Sequence, residues 1–80
     1  MMKEKIIAIL AEVNDEVRNI GVDDDIISSE IIDSMDIISI VAELEEAFDI
    51  EIEGELITKE NFQTISKIMN LVESIMVKKG

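Results

Sequence analysis

Three stretches of the chain repeat apolar residues at the spacing of an α-helix, and only one short stretch alternates them as a strand would. A single alternating run has nothing to pair with, so the periodicity predicts an all-α chain. The first stretch runs from Met2 to about Arg18. Ile6, Leu10, Val13 and Val17 fall at i, i+4, i+7 and i+11, Ile7 and Ala11 widen the stripe, and Glu4, Glu12, Asp15 and Glu16 lie outside it. Gly21 stands just beyond, where a left-handed residue commonly stops a helix. The second helix is expected to start at Asp33 or Ser34, both good N-cap residues, with Asp36 adding favourable negative charge to its first turn. Ile37, Ile40, Val41, Leu44 and Phe48 form its buried face, and Asp36, Glu43, Glu46 and, at the edge, Glu45 form its outer one.

Phe48 to Glu53 alternates apolar and acidic residues and reads as an extended connector that drops Ile50 and Ile52 into the core. Thr58 is placed to cap a short turn through Phe62. Thr64 is placed to cap a last helix to about Val77, with Ile65, Ile68, Val72 and Ile75 in register and Met69, Leu71 and Met76 beside them. Lys78 and Lys79 fall at the negative end of that helix. Residues 22–33 read as a loop, but Val22, Ile26, Ile27, Ile31 and Ile32 are too apolar to leave in water. The loop should lie pinned across the helices with its acids and Ser28-Ser29 outward, and ordered loops of this length are often functional. The expected architecture is one domain over residues 1–80: a small antiparallel helical bundle of three long helices and one short one, with a long ordered first loop.

Charge narrows what such a bundle does. Nineteen acidic residues against seven basic ones give a net charge of −12, and the forty residues from Asn19 to Thr58 contain no Lys or Arg. A surface that is only meant to be soluble usually mixes both signs, so the acidic middle reads as a docking surface for positive patches. Nucleic acid and anionic membrane surfaces are excluded as partners because both demand basic contacts. No run approaches the roughly 18 apolar residues of a membrane span. Met1 to Lys5 leads into a periodic segment rather than an apolar signal core, so the expected setting is the cytoplasm, and the expected state a monomer. At 48% hydrophobic the chain has too much to bury to be disordered.

The chain has no Cys and no His, which removes zinc sites, thiol nucleophiles, His-based triads and disulfides. Asp23-Asp24-Asp25 lacks the alternation, central Gly and closing Glu of an EF-hand, so no metal site is expected. Paired carboxylates do acid–base chemistry only when a cleft holds them in different environments, and a narrow bundle offers little cleft. No catalytic residue is assigned, and the chain is expected not to be an enzyme. Ser34 is by itself an ordinary N-cap serine among six serines, with no His or Lys nearby in sequence to activate it. Its place at a helix start does favour a phosphate ester, although Asp33 and Asp36 oppose one.

At Ile32-Asp33-Ser34-Met35-Asp36 the chain resembles the acyl carrier proteins and their peptidyl and D-alanyl carrier relatives, whose signature is Asp-Ser followed by a large aliphatic residue. Leu44-Glu45-Glu46-Ala47-Phe48-Asp49-Ile50-Glu51-Ile52 resembles the family's acidic helix end and its Phe-Asp-x-x-Ile exit. Asn61-Phe62-Gln63-Thr64-Ile65 resembles the opening of its last helix. The resemblance implies that Ser34 is esterified by 4′-phosphopantetheine, taken from coenzyme A by a Mg²⁺-dependent phosphopantetheinyl transferase. The terminal thiol of the arm then holds an acyl or aminoacyl cargo as a thioester, so the chain needs no Cys of its own. It also implies that Asp33 presents Ser34, with Met35 beside it. Asp36, Glu45, Glu46 and Asp49 would be read by basic docking patches on the transferase, on an acyl- or aminoacyl-loading ligase or synthetase, and on downstream acyl-processing enzymes. Two positions depart from the pattern: Ser39 stands where fatty-acid carriers often have an acid, and Glu30 where many relatives have Gly, so the loop into the helix could take another shape. The pathway is left open among fatty-acid, polyketide, nonribosomal-peptide and related biosynthesis. The alternative is an acidic helical adaptor that binds a basic protein surface and carries no prosthetic group.

Overall fold

The first helix, α1 (Met2–Val13), stops short of Arg18, and Asn14 is the reason. Asn14 is extended (φ −154°, ψ 111°), and its side chain is used at both ends: Oδ1 accepts the Glu16 N–H at 3.0 Å, and Nδ2 donates to the Ile31 carbonyl at 3.1 Å. A residue that can satisfy backbone groups on both sides competes with the helix it interrupts. A 3₁₀ turn, Asp15–Asn19, follows and restores Val17 to the core, whereas Val13 is rotated out and is 38% exposed. With the helix already ended at Asn14, Gly21 caps nothing. It has no positive φ, and its N–H donates to Asp24 Oδ2 in a tight turn.

The computed structural model describes residues 2–79. Expectations touching Met1 and the Lys79 side chain lie outside what is described. After α1 come α2 (Asp36–Phe48), α3 (Lys59–Phe62) and α4 (Ile65–Lys79), with a second 3₁₀ turn, Gly54–Leu56, before α3. The described chain is all-helical, three long helices and one short, as its periodicity predicts. α1 packs against both α2 and α4, and α3 against α4. The predicted stripes supply the core: Ile6 and Leu10 from α1, Ile37, Ile40, Val41 and Leu44 from α2, and Ile65, Ile68, Leu71 and Val72 from α4. Phe48, at the end of the second stripe, is only half-buried, with the Lys5 ammonium 5.7 Å from its ring centre. Ile50 and Ile52 enter the core from the connector as expected. A fully buried side chain of this size contributes about 1.5–3 kcal/mol relative to exposure. The radius of gyration, 11.5 Å, is that of a well-packed chain of this length.

The long loop is fixed by its apolar residues and by hydrogen bonds to the α3–α4 junction. Ile26 and Ile32 are fully buried, and the Ile32 N–H closes the loop on the Ile26 carbonyl at 2.8 Å. The Ile26 N–H donates to the Gln63 carbonyl, and the Ser66 N–H to that of Val22. Asp25 is not an outward acid. Its carboxylate accepts the Ser28 N–H, the Gln63 side-chain amide and the Ile27 N–H, which hold its pKa down to about 2.

Across the α1–α2 seam, Glu12 and Glu43 line the same two shallow grooves, with Glu46 on the edge of one. A hydrogen bond that protonated Glu43 donates to the Glu12 carboxylate, the negative charge of Glu12, some desolvation and the charge of Glu46 together raise the pKa of Glu43. A raised pKa means the folded state binds this proton more tightly. The stabilisation is therefore complete below the ordinary value near 4.5 and is lost as pH rises through the folded value. Above the folded value Glu43 is charged beside the Glu12 and Glu46 charges and is repelled by them. Glu43→Gln is expected to raise the melting temperature by a few degrees at pH 7, with the gain shrinking toward pH 4. Thermal melts at the two pH values check this, and an equal gain at both would show that the two carboxyls do not interact.

Candidate functional site

The backbone between the long loop and α2 turns on one carboxylate. Asp33 Oδ1 accepts the Met35 N–H at 3.1 Å, and the Asp33 N–H in return donates to Asp36 Oδ2 at 2.9 Å. This reciprocal arrangement is a capping box written with two aspartates. The Asp36 N–H bonds the Asp33 carbonyl and the Ile37 N–H the Ser34 carbonyl, so the chain is wound before the regular helix begins at Asp36. Of the two candidate caps, Asp33 does the work. Ser34 is exposed and caps no N–H; its hydroxyl donates to Asp33 Oδ1 at a long 3.4 Å. Asp36 is half-buried by its part in the box.

Ser34 stands on the rim of a cleft of about 430 Å³ lined by Ile27, Glu30, Ile32, Asp33, Ser34 and Lys59. Glu30 is where the loop turns into this cleft, and its φ of 65° is the left-handed conformation that glycine adopts freely. Glu30 therefore keeps a glycine-like backbone without being glycine, at a cost of about 1 kcal/mol in strain. Glu30→Gly should raise stability by no more than about 0.6 kcal/mol, because the added freedom of the unfolded chain offsets much of the relieved strain. Glu30→Val should lower it by more than about 1 kcal/mol, because a β-branched residue fits that backbone worst. Chemical denaturation of the pair checks this, and equal stabilities would remove the strain argument.

The outer surface of α2 mixes charge with bare apolar area: Met35 is 81% and Ile38 67% exposed, with Glu43 and Glu46 exposed on the same helix. Asp49 closes α2 in a left-handed conformation (φ 53°), its N–H returning to the Glu45 carbonyl. Glu45 is turned inward and accepts the Ile52 N–H at 2.9 Å, bracing the connector. A second cleft, about 660 Å³, lies at this far end between Asp49, Ile50, Leu56 and the Leu71–Ile75 part of α4, and Ser34 does not line it. The motif residues 33–36 thus share one place, while Glu45, Glu46 and Asp49 sit at the opposite end of α2. Lys59, 25 residues after Ser34, was not singled out by the sequence pattern.

A family model described as the phosphopantetheine attachment site matches residues 4–72, nearly the whole chain. The chain belongs to that family. Comparisons with curated proteins and with solved structures gave no significant match. Members of the phosphopantetheine-attachment family carry the arm covalently. As carrier domains they interact with partner enzymes and are generally non-catalytic. Among the described residues no helix is long and apolar enough to cross a membrane. The cleft beside α2 presents an outward hydroxyl, that of Ser34, which is not needed for capping and stands next to open space.

Proposed function

We propose that Ser34 is the residue that takes the 4′-phosphopantetheine arm, and that the protein shuttles acyl or aminoacyl groups between enzymes of fatty-acid, polyketide, nonribosomal-peptide or related biosynthesis. The observation that carries this reading is the division of labour at the start of α2. Asp33 holds the helix opening, and this leaves the neighbouring hydroxyl exposed and chemically available. When bound, the arm supplies a thiol on which cargo is held as a thioester. Asp33 has a second task, accepting the hydroxyl proton in a hydrogen bond and so orienting Ser34 Oγ.

The rest of α2 is read as a docking face. Met35 and Ile38 supply apolar contact, while Asp36, Glu46 and Asp49 supply charge for basic patches on the transferase, the loading ligase or synthetase and the downstream enzymes. Glu45 contributes there with one oxygen already engaged by Ile52. Complementary charge raises association rates and gives short-lived complexes, which suit a shuttle that leaves each enzyme after one step. A cytoplasmic setting goes with this reading.

The test is to incubate the protein with coenzyme A, Mg²⁺ and a promiscuous phosphopantetheinyl transferase, then weigh it intact. A gain of one phosphopantetheine supports the carrier. A wild type left unmodified by several such transferases would point instead to the acidic adaptor.

A further inference from the structure

The cleft beside Ser34 holds two carboxylates and one cation. Glu30 and Asp33 come from the loop side, and Lys59 comes from the first residue of α3 on the facing wall. No other Lys or Arg lines the cleft, and none occurs anywhere from Asn19 to Thr58. Lys59 is exposed, and among the described residues no carboxylate lies within ion-pair distance of it. The backbone that carries it is nevertheless fixed. Thr58 Oγ1 accepts the Asn61 N–H at 3.2 Å, and Asn61 Nδ2 donates to the Leu56 carbonyl at 2.8 Å, so α3 is held at its start from two sides. The two walls are tied together through the Gln63 bonds to Asp25 and Ile26.

A phosphodiester on Ser34 Oγ would put a permanent negative charge into a cleft already lined by Glu30 and Asp33. Like charges at such range repel, and the low-dielectric edge of the protein screens them less than water does. We propose that Lys59 is the positioning residue for the arm, its ammonium pairing with the phosphodiester on Ser34 and holding the root of the arm across the cleft toward α3. This rests on the reading of Ser34 as the attachment residue. A lysine suits the task because its charge sits on a flexible stem that can follow the phosphate without fixed bidentate geometry. The pair would also draw the arm away from the α1 side of α2, where Glu12, Glu43 and Glu46 gather.

The test compares apo and loaded protein for wild type, Lys59→Gln and Lys59→Arg, with Lys67→Gln as a control outside the cleft. Intact mass first establishes whether each protein is loaded. Two-dimensional amide spectra and the ³¹P resonance of the phosphodiester are then recorded at low and high salt. In wild type, loading should shift the amides of residues 59–61, and salt should move the ³¹P resonance. Lys59→Gln should lose both effects, Lys59→Arg should largely keep them, and Lys67→Gln should match wild type. If loaded Lys59→Gln gives the same ³¹P position, salt response and 59–61 shifts as wild type, Lys59 does not hold the phosphate and the proposal is overturned, while the Ser34 reading stands. If wild type gains no mass, the Ser34 reading itself fails and the proposal falls with it.

Discussion

Ser34→Ala should abolish loading with phosphopantetheine altogether while leaving the melting temperature within a few degrees of wild type. An N-cap serine would make this substitution cost about 1 kcal/mol. Here the cap is Asp33, and the Ser34 hydroxyl is exposed with a single long bond to that same carboxylate. Loss of such a bond at the surface is worth no more than about 0.5 kcal/mol. Function and stability should therefore separate cleanly: no mass gain with coenzyme A and transferase, yet a helical circular dichroism spectrum and a cooperative melt. A variant still loaded to the wild-type extent would show that another serine is modified. A coil-like spectrum would show that Ser34 supports the fold after all.

The largest loss of stability is expected at Phe62→Ala. Phe62 is 1% exposed and the bulkiest of the fully buried side chains. It belongs to α3, four residues long and far too short to persist without tertiary contacts. Truncating a buried Phe to Ala costs about 3–5 kcal/mol, set against about 4–12 kcal/mol for a whole chain of this length. The melting temperature should fall by roughly 15 °C or more, and the variant could be largely unfolded at 37 °C. Because Gln63 is the next residue and holds both Asp25 and Ile26, the long loop should loosen with α3. Amide exchange at residue 32 should then quicken along with exchange at residue 26. A fall of only a few degrees would mean that α3 is not seated in the core.

The helices were legible because burial enforces a period of 3.6 residues, and Ile6, Leu10, Ile37, Leu44, Ile65 and Val72 obey it. What the pattern could not show were choices made by single side chains between partners far apart in sequence. Asn14 ends α1 because it reaches Ile31, seventeen residues away. Asp25 turns inward because Gln63, thirty-eight residues on, is there to meet it. Asp33 and Ser34 are both good caps by type, and only the backbone path decided that the aspartate serves and the serine is left free. Glu45 sits at the edge of the outer face by periodicity, and only the returning connector shows that one of its oxygens accepts the Ile52 N–H. The Asp-Ser-Met motif needed no such information, being contiguous. Lys59 did, since only the folded chain brings α3 to the loop that precedes α2.

The most direct measurement is a tandem mass spectrum of the protein purified from the cells that naturally make it, digested and read peptide by peptide. The account predicts phosphopantetheine on the peptide that contains Ser34, and on that hydroxyl alone. A bare Ser34 in cells whose transferase is active, or the arm found on Ser28, Ser29 or Ser39 instead, would contradict it.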